Sequence, residues 1–135
     1  MAYAQWIYMI IHNMLKSGNL TVKQANVMWG KFYQWNNKDN DISDSEVEQQ
    51  MAKPSGQMGI ASCGRSDSSS GTEGSYDIYD GDAKVCHIYW SCPWGSQTNT
   101  FTVSEVDDNY MVQATDQNMD SGAIGTVNIK VAKSG

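Results

Sequence analysis

Basic residues are scarce in this chain: 135 residues hold nine Lys and Arg, placed singly, against fifteen acids, for a formal net charge of -6. No cluster is present that could neutralise a run of duplex phosphates, so nucleic acid is not an expected partner. The same scarcity removes polybasic attraction to anionic lipid, and any membrane contact has to be aromatic or headgroup-specific. Long apolar runs are missing too. The longest, Ile7 to Ile11, falls far short of the roughly 18 residues of a spanning helix. No basic, apolar and small-residue leader of the classical secretory kind is visible, which leads to the expectation of a cytoplasmic or non-classically secreted protein acting at membrane surfaces. Cysteine is limited to Cys63, Cys86 and Cys92, an odd set that makes no disulfide framework. The plain reading is three reduced, buried thiols, with a single Cys63 to Cys92 bridge as the alternative.

What is present is aromatic and amphipathic. Five Trp and seven Tyr stand against two Phe, a choice of rings suited to half-wet sites. Charge is uneven as well: residues 1 to 62 balance five Lys against five acids, so the whole net charge lies in residues 63 to 135. At 14.9 kDa the chain is expected to be one domain, residues 1 to 135, large enough to bury roughly two-thirds of its unfolded surface without metal or disulfide support.

The apolar pattern is that of strands. AQWIYMIIHNM reads as a central strand ending at the polar Lys16-Ser17-Gly18-Asn19 segment. Leu20 to Trp35 forms one or two strands around Gly30, a candidate bulge or close backbone approach. Asn36 to Ser45 has the Asn, Asp and Ser content of a turn-rich loop, although Asp44 to Glu48 could close into a short helical turn. Pro54-Ser55-Gly56 marks a connection, and Ser66 to Gly74 a polar loop that is either plain surface or a ligand rim. SYDIYD and AKVCHIYWSC read as a hairpin about the Asp80-Gly81 turn, with Cys86, Ile88, Trp90 and Cys92 on the core face and His87, Tyr89 and Ser91 opposite. Segments in FTV, NYMVQAT and IGTVNIKVA complete about eight to ten short strands. That spacing argues an all-β sandwich or small barrel, and no helical crossovers of an α/β fold are visible.

Catalytic chemistry is poorly provided for. His12 reads as a structural histidine beside the first strand, and Cys86-His87 cannot form a dyad because neighbours on a strand face opposite ways. The cysteines lack zinc-knuckle spacing, and the Asp77, Asp80, Asp82 and Asp39, Asp41, Asp44 groups match no calcium loop. The expectation is a non-enzyme without metal or cofactor. The feature that remains is Tyr89-Trp90-Ser91-Cys92-Pro93-Trp94-Gly95, two indoles about a proline corner, with Trp6 and Trp29 as further rim aromatics. Such rings grip amine headgroups, sugars or apolar partners, or simply fill the sandwich; both readings stay open for Trp90 and Trp94.

Three segments, AYAQW, CGRSD with SSGTEGSYDIYDG, and YWSCPWGSQTN, supported by SGAIGT at residues 121 to 126, make the chain resemble the aegerolysin family through nearly its whole length. The resemblance implies a β-sandwich of two mainly antiparallel sheets, without catalytic activity, that binds membrane sphingolipid such as ceramide phosphoethanolamine, or sphingomyelin with cholesterol. It further implies a perforin-like (MACPF) protein partner that makes the pore, and a monomer or weak dimer in solution. Carried over by motif, the lipid-binding candidates are Trp6, Trp29, Ser70, Tyr89, Trp90, Trp94 and Gln97. Relatives that read sphingomyelin with cholesterol carry glutamate at the position matching Ser70 and lysine at that matching Gln97, and both charges are absent here. Ser91 likewise stands where the YWDCPWG form has aspartate. The alternatives are a non-lytic sugar- or protein-binding module and a structural or developmental protein.

Overall fold

The computed structural model describes residues 4–65 and 70–134. Alternating burial begins at once: in β1, Trp6–Asn13, the side chains of Ile7, Met9 and Ile11 are fully buried, while Trp6, Tyr8, Ile10 and His12 lie half-buried on the other face. A period of two with one apolar face is what a strand covered on one side requires. The Leu20 to Trp35 stretch gives two strands, β2, Leu20–Trp29, and β3, Lys31–Gln34. They part at Gly30, whose φ is +83° and where a Cβ would stand 2.3 Å from the Cys63 carbonyl oxygen. Both conditions exclude an ordinary side chain.

Asn36 to Ser45 corrects the expectation of a loop, since Asn37–Ile42 is β4, paired with β3. The strand is mostly exposed, so its Asn and Asp residues stay hydrated while the backbone pairs. The helical turn does form, as α1, Asp44–Glu48. Ser43 caps it: its hydroxyl accepts from the Glu46 N–H at 3.2 Å, and the Glu46 carboxylate accepts from the Ser43 N–H at 3.0 Å. This reciprocal cap sets Val47 into the core.

The remaining strands are β5, Met51–Ala52; β6, Gln57–Cys63; β7, Thr72–Asp80; β8, Ala83–Cys92; β9, Thr100–Ser104; β10, Tyr110–Thr115; and β11, Gly125–Lys133. Among the described residues eleven strands thus form two sheets, in the orders β10-β11-β1-β6-β3-β4 and β5-β2-β7-β8-β9. Every described pairing is antiparallel except β1 with β11. The result is an all-β sandwich with one short helix. The hairpin of β7 and β8 alternates as expected: Cys86, Ile88, Trp90 and Cys92 are all fully buried. All three cysteines are free and buried. His12 is a structural histidine, bonded through Nε2 to Asn128 Oδ1 at 2.9 Å.

Trp90 is the largest fully buried side chain among the described residues. Its indole lies between Phe32 and Tyr76, with ring centroids 6.1 and 6.0 Å away. Its N–H donates to Thr72 Oγ1 at 3.1 Å, the Thr72 hydroxyl pairs with Ser62 Oγ at 2.5 Å, and Ser62 donates to the Lys31 carbonyl at 2.8 Å. This relay gives each of its own side-chain groups a partner and ties β8 and β7 of one sheet to β6 and β3 of the other.

Candidate functional site at one end of the five-stranded sheet

Strands β2, β7 and β8 end in register, with Trp29 opposite Glu73, Glu73 opposite Ser91 and Thr72 opposite Cys92. A register shift between Val27 and Trp29 interrupts the alternation of β2, leaving Met28 and Trp29 both outside, at 47% and 67% exposure. Trp29, Ser70, Gly71, Thr72, Glu73, Ser91, Cys92, Pro93 and Trp94 line a groove of about 360 Å³. Its floor depends on Gly71: a Cβ there would stand 2.1 Å from the Cys92 carbonyl oxygen and 2.9 Å from Pro93 Cα, so only a hydrogen fits beneath the proline corner.

The corner carrying Trp94 is pinned on both sides. Buried Gln5 donates its side-chain N–H to the Pro93 carbonyl at 2.5 Å, and its own carbonyl accepts from Gly64 at 3.0 Å. Downstream, the Asn99 amide donates to the Asn118 and Gly122 carbonyls, each at 2.9 Å. These bonds preform one wall of the groove.

Among the described residues, Glu73 is the only charged one that lines the groove. Its carboxylate accepts a hydrogen bond from the Tyr89 hydroxyl, and that bond, with burial second, raises the tyrosine pKa above its ordinary value. Tyr89 therefore remains a neutral donor that orients the acid. Thr72 contributes no free hydroxyl, being committed to Trp90 and Ser62, whereas Ser70 accepts from the Arg65 N–H at 2.9 Å. Two indoles about one carboxylate suit an ammonium group, drawn both by ring faces and by charge. The arrangement does not suit nucleophilic catalysis. Burial pushes the Cys92 thiol up, and His87 is paired to Asp77 at 2.7 Å on the outer face. Among the described residues no group of three His, Cys, Asp or Glu could hold a metal ion.

Trp29, Ser70 and Trp94 are thus brought together around one groove, and Tyr89 adjoins it through Glu73. Trp6 lies at the same end but on the six-stranded sheet: its backbone reaches the Cys92 thiol, while its half-buried indole tilts against Trp35 at 5.7 Å with the Lys38 ammonium 4.9 Å above. Trp90, carried over as membrane-facing, is corrected to a core residue, because at 0% exposure and enclosed by Phe32, Tyr76 and Gly74 it presents nothing to a lipid. Gln97 is exposed but does not line the groove. The Ser66 to Gly74 loop is shorter than expected, since β7 starts at Thr72; residues 66 to 69 lie outside the described residues. Glu73 carries no local mark of its role, which depends on pairing to Trp29 and Ser91 across the strands. Its one sequence signal is its place in the candidate ligand rim.

The family model described as Aegerolysin matches residues 4–134. Asp-hemolysin of Aspergillus fumigatus is 45% identical over 132 residues, covering 98% of this chain and 95% of that protein. Ostreolysin A6 of Pleurotus ostreatus is 44% identical, covering 100% of this chain and 99% of its own length. Among solved structures, RahU in complex with a Tris molecule superposes with a TM-score of 0.93 at 37% identity, over 99% of this chain and 98% of that one. Matched along the whole sandwich by sequence and by shape, the chain belongs to the aegerolysin family, non-catalytic proteins associated with lipid binding and pore formation.

Proposed function

We propose that this protein recognises a membrane sphingolipid carrying an amine headgroup, ceramide phosphoethanolamine or a related lipid, and serves as the targeting component of a two-component cytolysin with a perforin-like partner. The observation that carries the reading is the groove in which Glu73, the one charge among the described lining residues, sits with the Trp29 and Trp94 indoles. An ammonium fits the carboxylate and the ring faces, while the Ser70 and Ser91 hydroxyls offer neutral contacts to the adjoining phosphate. Trp29, with two-thirds of its surface in water, enters the headgroup boundary at shallow depth. The Tris in the RahU structure, an amine with hydroxyls, is a molecule of the same chemical kind.

The test is flotation with phosphatidylcholine vesicles containing ceramide phosphoethanolamine or sphingomyelin, each with and without cholesterol. Binding is expected only with the sphingolipid present, and the cholesterol arms decide whether sterol is needed. Because net charge of -6 opposes simple attraction to anionic lipid, affinity should change little between low and high salt. Binding that ignores sphingolipid, or collapses as salt rises, removes this reading. Dye release on adding a perforin-like protein, and none without it, tests the division of labour.

A further inference from the structure

A second pocket lies on the outer face of the six-stranded sheet, away from the headgroup groove. The ring of Tyr8 lies against Gly59, where a Cβ would come within 2.6 Å of it, and Trp35 stacks on Tyr8 with centroids 4.0 Å apart and planes 5° from parallel. Tyr33 leans toward the same indole at 6.2 Å. Helix α1 and the short segment after it add Glu46 and Gln50, so the pocket of about 330 Å³ has aromatic walls and side-chain amide, carboxylate and phenol groups.

Its hydrogen-bonding groups are not used up by the protein. The Tyr33 side chain is 1% exposed, and its buried hydroxyl has no hydrogen-bond partner. The Gln50 side-chain amide makes no hydrogen bond among the described residues. Glu46 spends one carboxylate oxygen on Ser43 and leaves the other. A buried polar group without a partner is uncommon in folded proteins and marks a place where a ligand or ordered water completes the bonding. Among the described residues no Lys or Arg lines the pocket, so they offer a phosphate or another anion no cation to pair with. The volume sits at the low end of the roughly 300–1,000 Å³ typical of small-molecule sites, enough for a sugar unit and too small for a long oligomer.

We propose that the Tyr8, Tyr33, Trp35, Glu46 and Gln50 pocket binds a neutral pyranoside, with the sugar's C–H surface against the aromatic wall and its hydroxyls completing Tyr33, Gln50 and Glu46. The site is separate from the headgroup groove and does not depend on the function assigned there.

The experiment follows the Trp35 indole N–H resonance in the full chain during titration with methyl glucoside, galactoside and mannoside. At least one should shift it saturably and leave Trp29 in place. Tyr33→Phe should keep the wild-type Tm, since the lost hydroxyl bonds nothing in the protein, and weaken the sugar roughly tenfold. Glu46→Gln preserves the helix cap and should retain most of the affinity, because the ligand is neutral. Ethanolamine should not compete. Flotation of Trp29→Ala with vesicles carrying glucosylceramide separates two sources of the same sugar: capture assigns a glycolipid, and a response to free glycoside alone assigns a soluble glycan. No shift with any pyranoside, displacement by ethanolamine with loss in Glu46→Gln, or a Tm drop in Tyr33→Phe would each overturn the proposal.

Discussion

Trp29→Ala separates adhesion from folding more cleanly than any other change at the groove. The side chain is 67% exposed, so it contributes little to the core, and removing it should move folding stability by less than about 0.5 kcal/mol. A tryptophan presents roughly 200–250 Å², so two-thirds of that, about 150 Å², is free to leave water at a membrane. Complete burial of such an area is worth about 4 kcal/mol at ~25 cal/mol per Å². Shallow insertion at the headgroup boundary realises about half, near 2 kcal/mol, or a roughly thirtyfold rise in Kd. The assay is titration with vesicles containing ceramide phosphoethanolamine, read by flotation or surface plasmon resonance beside a thermal melt. An unchanged melt with a Kd shift under about threefold would refute the reasoning. A large fall in Tm would show instead that the indole supports the fold.

Gly74→Ala probes the opposite kind of residue. A Cβ at this position would lie 2.5 Å from the Trp90 ring and 2.6 Å from the Asn26 carbonyl oxygen, inside the core hairpin. Overpacking of this type costs about 1–3 kcal/mol, seen as a Tm fall of several degrees, and a wild-type melt would contradict the packing described. The thiols give a pH-dependent test. Burial pushes Cys63 up to about 11 and Cys86 to about 12 from an ordinary value of 9.0. Native protein should therefore resist iodoacetamide at about pH 8, whereas the denatured chain takes up label. Between the unfolded and folded values the unfolded chain holds fewer protons, so this contribution is fully present below pH 9.0 and is lost as pH rises through 11 to 12. Melts across that range should show the decline, and Cys86→Ala should make it shallower. A flat profile would show that these thiols are solvated.

Period-two patterns are legible in the sequence wherever one face meets the core, as in Cys86 to Cys92, because burial writes itself into alternation. The parallel neighbour of β1 was not legible, since strand pairing between distant segments leaves no local mark. β4 was hidden for a different reason. An exposed edge strand needs backbone pairing but no apolar face, so Asn37 to Ile42 has the composition of a turn. At the site, the motif residues Trp29, Ser70 and Trp94 converge, yet Glu73, the charge that gives the groove its sign, is found only through cross-strand register. For Trp90, strand alternation already pointed inward, and the resemblance alone had pointed outward. The fold sides with the alternation.

The pairing of β1 with β11 has a consequence for assembly. Ile7 lies beside Gly125 and Asn13 beside Val131, so the six-stranded sheet is stitched between segments near opposite ends of the sequence. During synthesis β1 can pair with β6 once Cys63 has emerged, but its other edge stays open until β11, Gly125–Lys133, has been made. Contacts this distant make folding slow for a domain of this size, and a half-made chain offers Ile7, Met9 and Ile11 to any other open strand edge. Yield in a cell would then be governed less by the stability of the finished sandwich than by how well that early strand is kept apart from its neighbours.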